Sequence, residues 1–146
     1  MKYLVGILIL GLGLTAIAVH LAHANRDNKG AKKVDTRTFE LRTYTAAPGK
    51  LDALNARFRD HTNNLFKKHG MTIIGFWMPA PQKEGEEKLI YILAYPSKEA
   101  AEKSWKAFRE DPQWKKAREE SEKNGRLLAK PPESVFMTPT DYSPIK

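Results

Sequence analysis

The amino-acid sequence predicts an α+β domain of ferredoxin-like β-α-β-β-α-β order, built to associate as a dimer. Three observations support this: short period-two runs at both ends and in the middle, two helical runs between them, and a length of 146 residues that suits one domain. Hydrophobic residues make up 41% of the chain, enough for a packed core. Cysteine is absent, which excludes disulfides, zinc–thiolate sites, iron–sulfur clusters and thiol nucleophiles.

The first strand is expected over Thr36–Thr45, where Phe39, Leu41 and Thr43 alternate with Glu40, Arg42 and Tyr44. Ala47-Pro48-Gly49 breaks it. The next run places Leu51, Leu54, Phe58, Thr62, Leu65 and His69 on one face of a helix, with Gly70 as its stop. Met71–Met78 and Leu89–Tyr95 read as a hairpin of strands, joined by a polar loop over Pro79–Lys88. Pro96-Ser97 caps a helix that runs through Ala101, Trp105 and Phe108. Asp111-Pro112 restarts helical structure through Trp114 and Ala117 to Asn124-Gly125. A last strand is expected at Glu133–Thr138, followed by an irregular tail.

The two middle strands are apolar on both faces: Ile73, Gly75 and Trp77 alternate with Ile74, Phe76 and Met78, and Leu89, Tyr91 and Leu93 with Ile90, Ile92 and Ala94. An antiparallel sheet with one wet face alternates apolar with polar. Both helices cover one face, so a second copy of the chain is the simplest cover for the other. A homodimer through the open sheet face is therefore expected.

Residues 1–24 read as an export signal, with Lys2 at the start, an uncharged run from Tyr3 to Val19, and an A-x-A pattern at Ala22 and Ala24. Cleavage gives a secreted or periplasmic protein; an uncleaved segment gives a membrane anchor. Residues 25–35 form a polar linker and residues 36–146 the domain. The formal charge of +8 falls to about +5 on the domain once signal and linker are set aside. The linker is suited to a weak contact with an anionic membrane surface. The domain's lysines are interleaved with acids and its aromatics follow core periodicity, so nucleic acid is not an expected partner.

Phe39-Glu40-Leu41-Arg42-Thr43-Tyr44 followed by Pro48-Gly49-Lys50-Leu51 resembles the opening of the NIPSNAP family domain. Further resemblance lies in Arg57-Phe58-Arg59-Asp60-His61-Thr62 with Phe66, His69 and Gly70, in Gly75-Phe76-Trp77 and in Leu93-Ala94-Tyr95. It continues in Trp105-Lys106-Ala107-Phe108 and Asp111-Pro112-Gln113-Trp114, so the resemblance runs in order from about Phe39 to Tyr142. It implies a dimeric α+β barrel. Eukaryotic members are associated with mitochondria and vesicle traffic; bacterial members generally have no assigned reaction.

The candidate ligand-binding residues are Glu40, Arg42, Tyr44, His61, Trp77 and Tyr95. Phe39 and Leu41 are expected to meet the helices, which turns Glu40, Arg42 and Tyr44 towards a partner sheet and a cavity between the two. There Glu40 and Arg42 either form a network that fixes dimer register or hold a small anionic ligand, with Arg42 as a bidentate clamp. Trp77 is expected beside Tyr95 at a cavity mouth. His61 sits at the edge of the first helix's apolar face, as a packing residue or as the one candidate acid/base; no catalytic residue is assigned. His69 suits a capping role. Trp105 and Phe108, at i and i+3, suit the core. No metal-binding motif, glycine-rich phosphate loop or serine triad is present, and no cofactor is expected. The function expected is a ligand-binding or protein-interaction module. The alternative is a small-molecule enzyme such as a cofactor-independent oxygenase, an isomerase or a haem-handling protein, with His61 as acid/base or axial ligand and Tyr44 as hydrogen-bond donor.

Overall fold

The computed structural model describes residues 37–146. The expected signal and linker lie outside the described residues. Four strands form one antiparallel sheet: β1 (Thr38–Thr45), β2 (Thr72–Trp77), β3 (Lys88–Tyr95) and β4 (Glu133–Met137), in the order β2-β3-β1-β4. Between β1 and β2 lie α1 (Leu51–Arg57), a π-helical turn (Phe58–Thr62) and α2 (Asn63–Lys68). Between β3 and β4 lie α3 (Lys98–Glu110) and α4 (Pro112–Ser121).

Two expectations are corrected. The sheet is open: β2 and β4 are its free edges, and four strands are about half of what a closed barrel takes. The expected barrel is therefore not the architecture of this chain. Nor do the helical crossovers follow the plain β-α-β-β-α-β plan, because the first carries a π-helical turn within it and the second is broken at Asp111. In the second, Asp111 is extended (φ −62°, ψ 125°) and Pro112 has no N–H to continue α3. The Asp111 carboxylate accepts the Gln113 N–H at 2.7 Å and so caps α4. In the first crossover, the π-helical turn adds a residue, and the Thr62 hydroxyl donates back to the Arg57 carbonyl at 3.2 Å. The first helix does stop at Gly70, whose φ of 74° is open to glycine at little cost.

The sequence reading of the strand faces is corrected as well. Glu40, Arg42 and Tyr44 point to the helices, while Phe39 and Leu41 belong to the open face, paired with Ala94 and Ile92 on β3 and with Met137 and Val135 on β4. A bulge between Ile73 and Gly75 also breaks the alternation of β2. It sends both Ile73 and Phe76 into the core, three residues apart, and leaves Gly75 and Trp77 on the open face. Trp77 folds back over Gly75, where a Cβ would lie only 2.8 Å from the indole. Trp77 pairs with Ile90 and not with the far end of β3, so it is not beside Tyr95 as expected.

An aromatic cluster forms the core between sheet and helices. Phe66 lies 5.5 Å from Trp105, 5.8 Å from Tyr91 and 5.1 Å from Phe108, ring centre to ring centre, and Phe58 lies 5.3 Å from Tyr91. Burial of these large rings is the main favourable term available to the domain. At its edge, Asp111 also accepts from Lys68 at 2.8 Å and pairs with His69 Nε2 at 2.7 Å, which ties the end of α2 to the start of α4. Phe66→Ala removes the ring that joins four others, and about 3–5 kcal/mol of stability should go with it. Urea unfolding at neutral pH measures this; a loss below about 1 kcal/mol means that the cluster repacks around the gap.

Candidate functional site

The site is built on the face of β1 that carries Glu40 and Arg42, two residues apart and so on the same side of the sheet. Glu40 is 1% exposed, and a carboxylate so buried needs its lone pairs filled. Four donors from four elements fill them. Oε1 accepts from Arg42 Nη1 at 2.7 Å and from the Ser134 hydroxyl of β4 at 2.6 Å. Oε2 accepts from the Tyr95 hydroxyl of β3 at 2.8 Å and from Trp105 Nε1 of α3 at 2.6 Å. Burial pushes the carboxyl group up, but the Ser134, Trp105, Arg42 and Tyr95 hydrogen bonds outweigh it and hold Glu40 below its ordinary value. The same burial, together with the adjacent carboxylate, pushes the Tyr95 phenol up, so it remains a donor.

Arg42 continues the site outward. Burial works against its charge, but the surrounding Tyr44, Tyr91 and Glu40 overcome that and strengthen it. Its guanidinium lies 4.3 Å from the centre of the Trp105 ring and 5.6 Å from that of Tyr44. One nitrogen, Nη1, is committed to Glu40; Nε is buried with no hydrogen-bond partner.

Beyond Arg42 a cleft of about 270 Å³ opens between the sheet and α3 and α4. Tyr44, Trp105, Phe108 and Trp114 supply its apolar surfaces, and Arg42, Arg57, Arg109 and Arg118 face a single carboxylate, Glu122. Arg57 is 4% exposed: Nη1 donates to Glu122 at 3.1 Å, the guanidinium lies 5.2 Å from the Trp114 ring, and Nε is again buried without a partner. With Glu40 behind Arg42, and with Arg57 and Arg118 both paired to Glu122, four guanidiniums are set against two carboxylates, and the cleft carries a surplus of positive charge.

Of the residues expected to bind ligand, Glu40, Arg42, Tyr44 and Tyr95 are brought together, on the helix side of the sheet and not in a cavity between two sheets. Trp77 is half-exposed on the opposite face. His61 is exposed and lines a separate surface groove with Asp60, Gln113, Lys116 and Glu120. The arrangement in which His61 supplies a proton or an axial ligand beside Arg42 and Tyr44 is not the one this fold assembles. Arg57, Arg109, Arg118 and Trp114 were missed. For Arg57 a signal exists: it stands three residues after Leu54, inside the apolar stripe of a helix, where a charge needs a reason.

An open four-stranded antiparallel sheet with all its helices on one face, and a basic aromatic cleft beneath them, defines the class of this protein as a single-layer α+β domain. The NIPSNAP family model matches residues 39–144, and the chain belongs to that family. The match begins after the expected signal and carries no statement about export; among the described residues, no helix is long and apolar enough to cross a membrane. A NIPSNAP family protein of unknown function from Agrobacterium tumefaciens is similar over 77% of this chain and 96% of its own, at 19% identity and a TM-score of 0.65. An uncharacterised NIPSNAP-like domain protein from Burkholderia xenovorans is similar over 74% of this chain and 89% of its own, at 15% identity and a TM-score of 0.63. A monooxygenase from Streptomyces coelicolor, solved with the ligand nanaomycin D, is similar over 75% of this chain and 92% of its own, at 17% identity and a TM-score of 0.50. At these identities the likeness is one of fold. No curated protein matches the chain.

Glu40→Gln should cost about 3–5 kcal/mol at neutral pH, because it leaves Arg42 without its buried counter-charge and sets an amide N–H₂ against two donors. The sign of the pH dependence follows from the lowered carboxyl. Its stabilisation is complete above the ordinary value of 4.5 and is lost as pH falls through the lower folded value. Urea unfolding of both proteins from pH 7 to pH 3 should show the gap closing with acid. A gap that stays constant means that shape, and not charge, holds the site.

Proposed function

We propose that this NIPSNAP domain is a binding module that takes a small anionic ligand into the helix–sheet cleft and works as a homodimer joined through the open face of its sheet. The observation that carries the ligand reading is the charge of the cleft: Arg42, Arg57, Arg109 and Arg118 against Glu40 and Glu122, a surplus of two positive charges. Protein interiors pair their charges, and a surplus of cations with buried, unpartnered N–H groups is a site waiting for an anion. The cleft lies just below the ~300 Å³ at which small-molecule pockets commonly begin, so its occupant is small.

The dimer reading is supported by the other face of the sheet. Phe39, Leu41, Ile90 and Ile92 share it, and Trp77 and Val135 stand half-exposed there. Pro139, Ser143 and Ile145 of the tail lie over the Phe39 end, leaving the Trp77 end uncovered. An apolar surface of this kind is covered in solution more often than left wet.

Two measurements test these readings. Arg109 and Arg118 are exposed, so changing both to Ala spares the fold; binding of inorganic phosphate by calorimetry should weaken about tenfold and become less sensitive to salt. Phosphate binding that is equal in both proteins moves the anion site elsewhere. Light scattering should give twice the chain mass at micromolar concentration, and Val135→Asp should halve it. A wild-type monomer there overturns the dimer.

A further inference from the structure

We infer that the ligand of the cleft is a small aromatic carboxylate, held by the free edges of Arg42 and Arg57 with its ring against the indoles. This rests on the reading of the cleft as an anion site and names the class of anion.

Arg57, which is buried, and Arg42, which is partly buried, have spent their hydrogen-bonding capacity in the same way. Each lays a guanidinium face near an indole: Arg42 at 4.3 Å from Trp105 and Arg57 at 5.2 Å from Trp114. Each gives Nη1 to a carboxylate, Glu40 for Arg42 and Glu122 for Arg57. Each keeps a buried Nε–H without a partner. The donors of a guanidinium lie in its plane, so an edge that remains free takes a planar acceptor edge-on, in the bidentate manner of a carboxylate.

The rest of the cleft decides what that carboxylate is attached to. Trp105 and Phe108 lie 5.5 Å apart and edge-to-face, and Phe108 and Trp114 lie 4.5 Å apart, tilted by 34°. Together they form a continuous aromatic wall from one arginine to the other. Aromatic rings prefer offset-stacked or edge-to-face neighbours, and a flat ring bearing a coplanar carboxylate meets the wall and the guanidinium edge at once. A phosphate ester also meets a guanidinium edge with two oxygens, but its tetrahedral group is not coplanar with an attached ring, so it cannot lie flat against the wall and on the guanidinium edge together. A long aliphatic acid exceeds a cavity of about 270 Å³.

The test is titration calorimetry of the full chain with four probes: benzoate, cyclohexanecarboxylate, benzamide and inorganic phosphate. Benzoate should bind at least tenfold more tightly than cyclohexanecarboxylate, which has the charge without the flat ring, and than benzamide, which has the ring without the charge. Trp114 is only half-buried, and Trp114→Leu should abolish the preference for benzoate over cyclohexanecarboxylate while Trp114→Phe restores it. Thermal melting of both variants confirms that each is folded. Equal binding of the two carboxylates overturns the aromatic assignment and leaves the anion site standing. Phosphate binding without benzoate binding overturns the carboxylate assignment in the same way. A protein that melts normally and binds none of the four overturns both this inference and the cleft reading beneath it.

Discussion

The buried carboxylate of Glu40 is the constraint on which the rest of the structure depends. It lies on a central strand, and its four donors come from β1, β3, β4 and α3. An ionised carboxylate in that position is costly unless every lone pair is matched, so all four elements must reach it in one geometry. Trp105 carries this requirement to the helices. Its N–H faces Glu40, its edge meets Phe66 and Phe108, and its face lies near Arg42. Position and rotation of α3 are thus set by one polar contact as much as by the hydrophobic burial around it.

The cleft is a consequence of two interruptions in the helices. The π-helical turn at Phe58–Thr62 begins immediately after Arg57, and Arg57 lies among core residues with its charge met by Glu122 at the end of α4. The break at Asp111–Pro112 lets α4 leave the line of α3, with the Asp111 carboxylate holding the corner through Lys68, His69 and the Gln113 N–H. An unbroken α3 could not present both Trp105 and Trp114 to the same space with an arginine on each. The features that spoil helical regularity are those that position the site.

Much of the domain was legible in the sequence because it follows periodicity and punctuation. The four strands, the Gly70 stop, the Ser97 cap and the restart at Asp111-Pro112 all depend on local chemistry. The grouping of Glu40 with Arg42 and Tyr44 followed from their alternation on β1. The direction in which they face did not follow. The rule that apolar residues face the helices presumes a polar alternative, and here the alternative face is apolar too: Phe39 and Leu41 lie opposite Ala94 and Ile92. What decides the matter is the need of Glu40 for donors, which only the helix side meets through Trp105. That is a tertiary fact, invisible to a period of two. The β2 bulge shifts register by one residue, which is why Ile73 was grouped with Gly75 and Trp77 and not with Phe76.

The same choice of faces explains why the sheet is apolar on both sides. Its helix face holds a charged pair within an aromatic core, and the helical layer adds the Trp105 N–H to the three donors the strands supply. Its other face is left with the apolar residues that a single-layer domain would have buried under helices: Phe39, Leu41, Ile90 and Ile92. The C-terminal residues Pro139 and Ile145 cover one end of that surface, where Arg37 Nε donates to the Lys146 carbonyl at 2.7 Å. The other end carries Trp77, folded over Gly75 because β2 has no side chain there to hold it away. Any larger residue at position 75 drives the indole outward and changes the outline of the uncovered half. Ligand cleft and association surface therefore lie on opposite sides of one sheet, joined through β1, whose alternate residues serve one and then the other.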